Sequence, residues 1–334
     1  MCASAGASGS QVYNLGMAGI AEIIAVEHAR STKDQADALG FDASGIASAG
    51  EAIDPENRLG AWLERGYHAD MAWMARNAAT RRDAQVKLPA ARSVVVVARN
   101  YYAERPQADA GSGKVSRYAW GRDYHKVLRK PLIELARHIE SLEPGAQTYA
   151  SVDTGPVLER AWAQRAGVGA IGKHSLALRR DMGSWFFLGT ILTTVELEPD
   201  APAEDICGTC RLCIDACPTS AIVEARVVDS KRCISYQTIE NRGEIPQDLH
   251  AEHGDWVYGC DVCQEVCPWN RFAATTTEED FLPRAGHANP DLEALLGLDE
   301  KSFDAEFAGT TIRRAKYAGM MRNAAIAKAN QTQP

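Results

Sequence analysis

Eight cysteines between Cys207 and Cys267 constrain this chain more than any other feature. They form two runs. The first reads Cys207-x2-Cys210-x2-Cys213-x3-Cys217-Pro218, and the second reads Cys260-x2-Cys263-x3-Cys267-Pro268, with Cys233 between them. Thiolates spaced this closely can hold different irons of one cubane, while the thiolate before proline turns away to a neighbouring cluster. This logic predicts one 4Fe–4S cluster on Cys207, Cys210, Cys213 and Cys267. It predicts a second on Cys217, Cys233, Cys260 and Cys263, with no ligand left over. Zinc favours paired C-x2-C motifs in fours, and the x2-x2-x3-Pro run speaks against it. The N-terminal MCASAGASGS lacks a positive region, an apolar region and a twin arginine. A cytoplasmic protein with metal-bound rather than disulfide-bonded cysteines is therefore expected. Cys2, the ninth cysteine, reads as a spare thiol in a disordered lead of residues 1–14.

A two-cluster carrier does not need 334 residues, so the rest of the chain should hold a cofactor or a substrate. The chain is 46% hydrophobic and 24% charged, which is globular composition. No run of about 18 apolar residues is present, so no membrane contact is expected. Residues 17–39 and Tyr124–Leu142 read as helices, the latter despite Pro131. Residues 58–76 read as a helical stretch broken at Gly66. Ser93–Ala98 (SVVVVA), Phe41–Ala47 and Thr148–Val152 read as strands. Leu176–Leu178 and Ser184–Val195 read as a hairpin-like pair, and Pro156–Arg165 as a helix. Regular βαβ alternation is missing, which predicts an α+β fold with a mostly antiparallel sheet. The expected divisions are an α+β domain over 15–200, the cysteine module over 201–275 and a helical segment over 276–334.

Charge is uneven. The whole chain carries −8, so it is not a uniformly basic nucleic-acid binder. Residues 58–130 nevertheless carry a balance of +9, residues 196–306 one of −16, and residues 307–334 five basic residues without an acid. Arg117 to His125 (RYAWGRDYH) interleaves aromatics with cations, which suits phosphate and base contact. Gly167-x-Gly169-x-x-Gly172 spells a dinucleotide fingerprint but follows a helical segment, so its context fails. Asp123-Tyr124-His125 begins the D-x-H-x-x-G pattern of a histidine-ligated corrinoid, but Leu128 stands where glycine is required. Asp153 falls at a strand end before a turn. Apolar neighbours there suit a carboxyl with raised pKa acting as proton donor, and capping of the next helix is the bland alternative.

Six segments in order resemble the epoxyqueuosine reductases of queuosine synthesis in tRNA. They are SRYAWGRDYH, VDTGPVLERAWAQRAGVGAIGKHS, GSWFFLGTILTT, CGTCRLCIDACPTSAI, CISYQTIENRG and YGCDVCQEVCPWN. The resemblance covers roughly residues 15–328. Ala170 departs from an expected aromatic and His174-Ser175 from an Asn-Thr pair. The resemblance implies a nitroreductase-like, reductive-dehalogenase-like domain holding base-off cobalamin, a bacterial two-cluster ferredoxin module and a C-terminal HEAT-like segment. It implies attack by cobalt on the epoxide, protonation by Asp153 and loss of water. Electrons would come from an unidentified donor through the Cys207 cluster to the second, corrin-side cluster. Cobalamin contacts are expected at Arg76, Asp153, Lys173, Ser175, Ser235, Asp261 and Val262. The anticodon loop of tRNA carrying epoxyqueuosine is expected at Arg117, Arg122, Lys126, Arg313, Arg314, Lys316 and Arg322, on a monomer. A reductive dehalogenase of a small substrate and a non-enzymatic electron carrier are the rival readings.

Overall fold

The valine run forms the centre of a sheet. In the computed structural model, which describes residues 17–332, Ser93–Asn100 pairs antiparallel with Ala43–Ser48 on one side and Phe186–Thr193 on the other. Thr148–Ser151 completes the sheet against the far edge of Phe186–Thr193, also antiparallel. The expected lead of residues 1–14, with Cys2, lies outside the described residues. Alternation along the central strand sends Val95 and Val97 to one face, where they pack with Ile46, Ile191, Leu128 and Leu132. Val94 and Val96 point the other way, to Leu192, Trp162 and Val168. Both faces are buried, which is why the sequence run is continuous rather than alternating.

The helices Met17–Ala38 and Tyr124–Glu140 cover the first face. The second helix continues through Pro131. Losing one hydrogen bond there is offset by burial of Leu128, Leu132, Leu135 and Ile139 along one face. Asp123 caps it by accepting from the His125 N–H at 3.1 Å.

Two expected elements differ. Ala177–Leu178 pairs with Ala170–Ile171, while Phe186–Thr193 joins the main sheet, so they do not form one hairpin. A single bridge between Arg179 and Gly183 links the two arms. The apolar strand has two faces to bury, and only the sheet centre covers both. The helix expected from Pro156 begins at Glu159, leaving Pro156 in the loop after Asp153.

Each cysteine run contains one short helix, Leu212–Asp215 and Val262–Glu265. The module is fastened to the sheet domain by buried polar contacts. The Ser184 N–H donates to Asn270 Oδ1 (2.6 Å), and Trp62 Nε1 donates to the Val228 carbonyl (2.7 Å). The C-terminal helix Lys316–Thr332 and its neighbours Leu292–Leu296 and Glu300–Glu306 do not build a core of their own. Their Phe303, Met320 and Ala324 share one with Trp120, Val257 and Tyr258. The segment expected to be HEAT-like therefore serves as a wall of the cysteine module. Among the described residues no helix is long and apolar enough to cross a membrane.

Candidate active site and cluster module

Beyond Thr148–Ser151 the chain turns sharply at Asp153, which adopts φ 56°. Aspartate is among the few residues that visit this left-handed region. The turn is held from three sides. Gly155 N–H donates to Ser151 Oγ (3.1 Å), Asp153 N–H donates to Glu159 Oε1 (2.8 Å), and buried Arg81 reaches the Gly155 and Val157 carbonyls (3.4 Å each). Asp153 is not the cap of the next helix, whose capping position is Leu158. A strained carboxylate fixed by surrounding bonds is the pattern of a functional site.

The Asp153 side chain is 63% exposed, with its carboxylate set against Tyr124 and His125. Its Oδ2 accepts from Tyr124 Oη at 2.9 Å and lies 3.3 Å from His125 Nε2. The other imidazole nitrogen, Nδ1, lies 2.7 Å from Asp123 Oδ1. A continuous chain thus runs Asp123, His125, Asp153. Burial alone would lower the His125 pKa, but bonds to both carboxylates outweigh it and raise it to about 9. The imidazole is therefore an imidazolium at neutral pH. Burial pushes Asp153 up, but hydrogen bonds from His125 and Tyr124, with the charges of His125 and Arg160, hold it below the usual carboxylate range. Glu159 goes the other way. Burial, reinforced by the Asp153 charge, raises it to about 8. This corrects the expectation of a neutral Asp153. The environment favours the protonated forms of His125 and Glu159 and the ionised form of Asp153 between them.

Sequence reasoning missed His125, Tyr124, Glu159, Arg160 and Arg81 as parts of this cluster. His125 and Tyr124 lie in the aromatic-cationic stretch that suggested RNA contact. Only the fold reveals their partner, because 28 residues separate His125 from Asp153.

The eight thiols are free. Cys213 is pushed up by burial and by the neighbouring Cys207, Cys267 and Cys210 thiols. Cys263 is pushed up by burial and then by Cys260, Cys233 and Cys217 among its neighbours. The thiols that bear on Cys213 and on Cys263 are thus drawn from the groups that the spacing predicts. Among the described residues no group of three or more histidine, cysteine or carboxylate side chains is close enough to hold one metal ion. Backbone N–H groups point at the sulfurs, Lys173 to Cys207 Sγ at 3.4 Å and Ala221 to Cys217 Sγ at 3.2 Å. A tyrosine ladder connects the second set with the acid cluster. Tyr258, two residues before Cys260, lies 6.0 Å from Tyr118, which lies 6.2 Å from Tyr124.

Residues 206–270 match the family described as a 4Fe-4S double cluster binding domain, and residues 81–154 match the one described as epoxyqueuosine reductase QueG, DUF1730. The epoxyqueuosine reductase of Synechocystis is 49% identical over 285 residues, covering 84% of this chain and 98% of that protein. The chain belongs to the epoxyqueuosine reductase family. Like other epoxyqueuosine reductases it is an oxidoreductase. A solved epoxyqueuosine reductase with a tRNA-Tyr epoxyqueuosine-modified stem loop superposes with TM-score 0.82 at 31% identity, covering 90% of this chain and 81% of that one. A Bacillus subtilis epoxyqueuosine reductase gives TM-score 0.82 at 30% identity with the same coverage. In that structure an aspartate-bearing catalytic loop is swung out of the active site.

Within this epoxyqueuosine reductase framework, several expected contacts serve other purposes. Asp261 is wholly buried, bonded to Ser116 Oγ and the Arg117 backbone (2.8 Å) and paired with Arg117 and Arg105. It braces the Cys260–Cys263 loop and is corrected as a cobalamin contact. Arg117, its partner, is 10% exposed and is corrected as an RNA contact. Arg322 is also corrected, because its guanidinium donates to the carbonyls of Gln237, Asn241 and Gly243. Lys173 Nζ is committed to the Gly208 and Cys210 carbonyls at 2.7 Å each, so it braces the first ligand loop rather than a corrin. Arg122, Arg313 and Arg314 are exposed and paired with Asp280, Asp304 and Glu240. Lys126 and Lys316 are exposed and line, with Asp123 and Arg313, a cavity of about 360 Å³. Arg76 is exposed on the helix Ala72–Arg76. Ser235 follows Cys233 by two residues and Val262 lies between Cys260 and Cys263, both half-buried beside the second thiol set. Ser175 has φ 68° and a buried Oγ without a partner.

Proposed function

We propose that this chain reduces epoxyqueuosine to queuosine at the wobble position of tRNA. The observation that carries the reading is the Asp123–His125–Asp153 chain, which reaches an exposed carboxylate and is joined by the tyrosine ladder to the strand before Cys260. Converting an epoxide to an alkene consumes two electrons and two protons and releases one water. The two thiol sets suit the electrons, and the acid cluster suits the protons.

The residues around Arg160 fit a polar cofactor such as cobalamin. Ser175 Oγ and His174 Nε2 are buried without partners, and Arg160 beside them binds the Ser175 carbonyl. His125 is committed to two carboxylates. When bound, cobalamin supplies the low-valent cobalt that opens the epoxide. Cofactor contacts are assigned to Ser175, Ser235 and Val262, with Asp153 facing the reacting side and Arg76 at the rim.

As negative charge develops on the oxygen, His125, held cationic, gives its Nε2 proton to the ionised Asp153, which hands a proton on to that oxygen. The bond to Asp123 keeps the imidazole aligned. Arg160 offsets the negative charge of Asp153 and Glu159. Arg81 keeps the Asp153 turn in its left-handed form. The tRNA backbone is placed along Lys126, Lys316, Arg122, Arg313 and Arg314, with Lys126 one residue from His125. The protein is expected to act as a cytoplasmic monomer.

The test is anaerobic purification with cobalamin, then single turnover on an anticodon stem-loop carrying epoxyqueuosine. One queuosine formed per two electrons consumed is the expected result. Loss of the epoxide by hydrolysis to a diol, with no electrons consumed, would overturn the reading.

A further inference from the structure

The two thiol sets differ in the exposure of the residues around them. Tyr258, Asp261 and Gln264, beside the second set, are buried. The residues between the ligands of the first set are exposed. Gly208 and Thr209, between Cys207 and Cys210, are exposed, and a side chain built on Gly208 would meet nothing within 4 Å. Leu212, between Cys210 and Cys213, is 50% exposed. Phe272, five residues after Cys267, is 51% exposed. Trp269 ties these together, since its Nε1 donates to the carbonyl of Ile206, next to Cys207, at 3.0 Å. Its ring lies 6.4 Å from that of Phe272.

Two cations stand on these rings. The Arg180 guanidinium lies 5.1 Å from the Trp269 ring, and that of Arg271 lies 4.6 Å from the Phe272 ring. Neither forms an ion pair with another described residue, whereas Arg211 is paired with Asp215 and Arg226 with Asp205. Both guanidinium groups are on exposed residues. Exposed apolar groups rimmed by unpaired charge of one sign have the anatomy of a transient protein interface. Such charge acts mainly on encounter rate.

We propose that Leu212, Trp269 and Phe272, rimmed by Arg180 and Arg271, form the docking surface for a small acidic one-electron carrier protein. This rests on the reading that 4Fe–4S clusters occupy the two thiol sets. The carrier gives up one electron per encounter, and the first cluster gains it. Two encounters supply one turnover. The open space at Gly208 leaves room for a partner beside the Cys207–Cys210 loop.

The experiment uses the holoenzyme and, as probe, a reduced acidic 2Fe–2S ferredoxin. Stopped-flow spectroscopy follows cluster reduction in wild type and in Arg180→Glu/Arg271→Glu. The charge reversal is expected to slow reduction about tenfold or more, and added salt to slow the wild type. Reduction by methyl viologen radical, which needs no docking, is expected to stay within about twofold. Binding of gallium-substituted ferredoxin, which transfers no electron, should weaken in the same variant. If charge reversal disturbs assembly, seen as lost iron or lost viologen reduction, Arg180→Gln/Arg271→Gln takes its place with a smaller loss expected. Equal ferredoxin rates and equal binding in wild type and variants, including no reaction in either, would overturn the proposal. Failure of viologen to reduce the wild type would instead strike the cluster reading, and the docking proposal with it.

Discussion

His125 holds two aspartates at once, with Nε2 3.3 Å from Asp153 and Nδ1 2.7 Å from Asp123. The imidazolium is the charge that keeps both carboxylates ionised. His125 has a folded pKa of about 9, above the ordinary value of about 6.5. Its stabilising contribution is therefore complete below about pH 6.5 and lost as pH rises through about 9. Turnover should hold to about pH 9 and fall above it. Asp123→Asn keeps the helix cap but removes one carboxylate, and should move that limit toward neutrality. Histidine-selective NMR titration of the cofactor-free protein checks the shift independently.

Asp153→Asn should leave the fold and iron content intact and abolish turnover. The side chain contributes little to the core, being 63% exposed, so the unfolding midpoint should fall only by the share of the His125 pairing that is lost. The same variant should also lower the His125 pKa. Full activity in the variant would remove Asp153 from the proton path.

Asp261 should behave differently from Asp153, although both are aspartates. It is fully buried between Arg105 and Arg117, and burial outweighs the arginines to hold its carboxyl above the usual range. Such a network fixes geometry more than it adds stability. Asp261→Asn leaves the two arginines without that buried carboxylate and should cost about 3–5 kcal/mol in denaturant unfolding.

Cluster membership crosses the two sequence runs, which single cysteine variants can verify. Wild type should carry about eight irons. Cys267→Ser should perturb the cluster of Cys207, Cys210 and Cys213, although it lies in the second run. Cys217→Ser should perturb the other. Low-temperature electron paramagnetic resonance of the reduced protein distinguishes the two losses.

Lys126→Ala and Lys316→Ala should each weaken stem-loop binding and reduce the slope of log affinity against log salt by about 0.7–0.9. Arg322→Ala should instead lower stability, since its guanidinium holds three backbone carbonyls together.

The sequence by itself determined the two thiol sets, the antiparallel α+β sheet, the strand-end position of Asp153 and the family. These depend on local order. Ligand spacing fixes which sulfurs can share a cubane, β-branched runs fix the central strand, and a turn after a strand fixes where the next side chain emerges. The tertiary structure alone decided the charge states and the loyalties of the cations. Asp153 reads as a neutral acid from its apolar neighbours in sequence, yet His125, Tyr124 and Arg160 arrive from elsewhere and hold it ionised. Arg117 and Arg322 read as surface cations, yet Asp261 and a ring of backbone carbonyls bury them. A pKa and an ion pair depend on distances across the fold, and residues far apart in the chain set those distances only once it has closed.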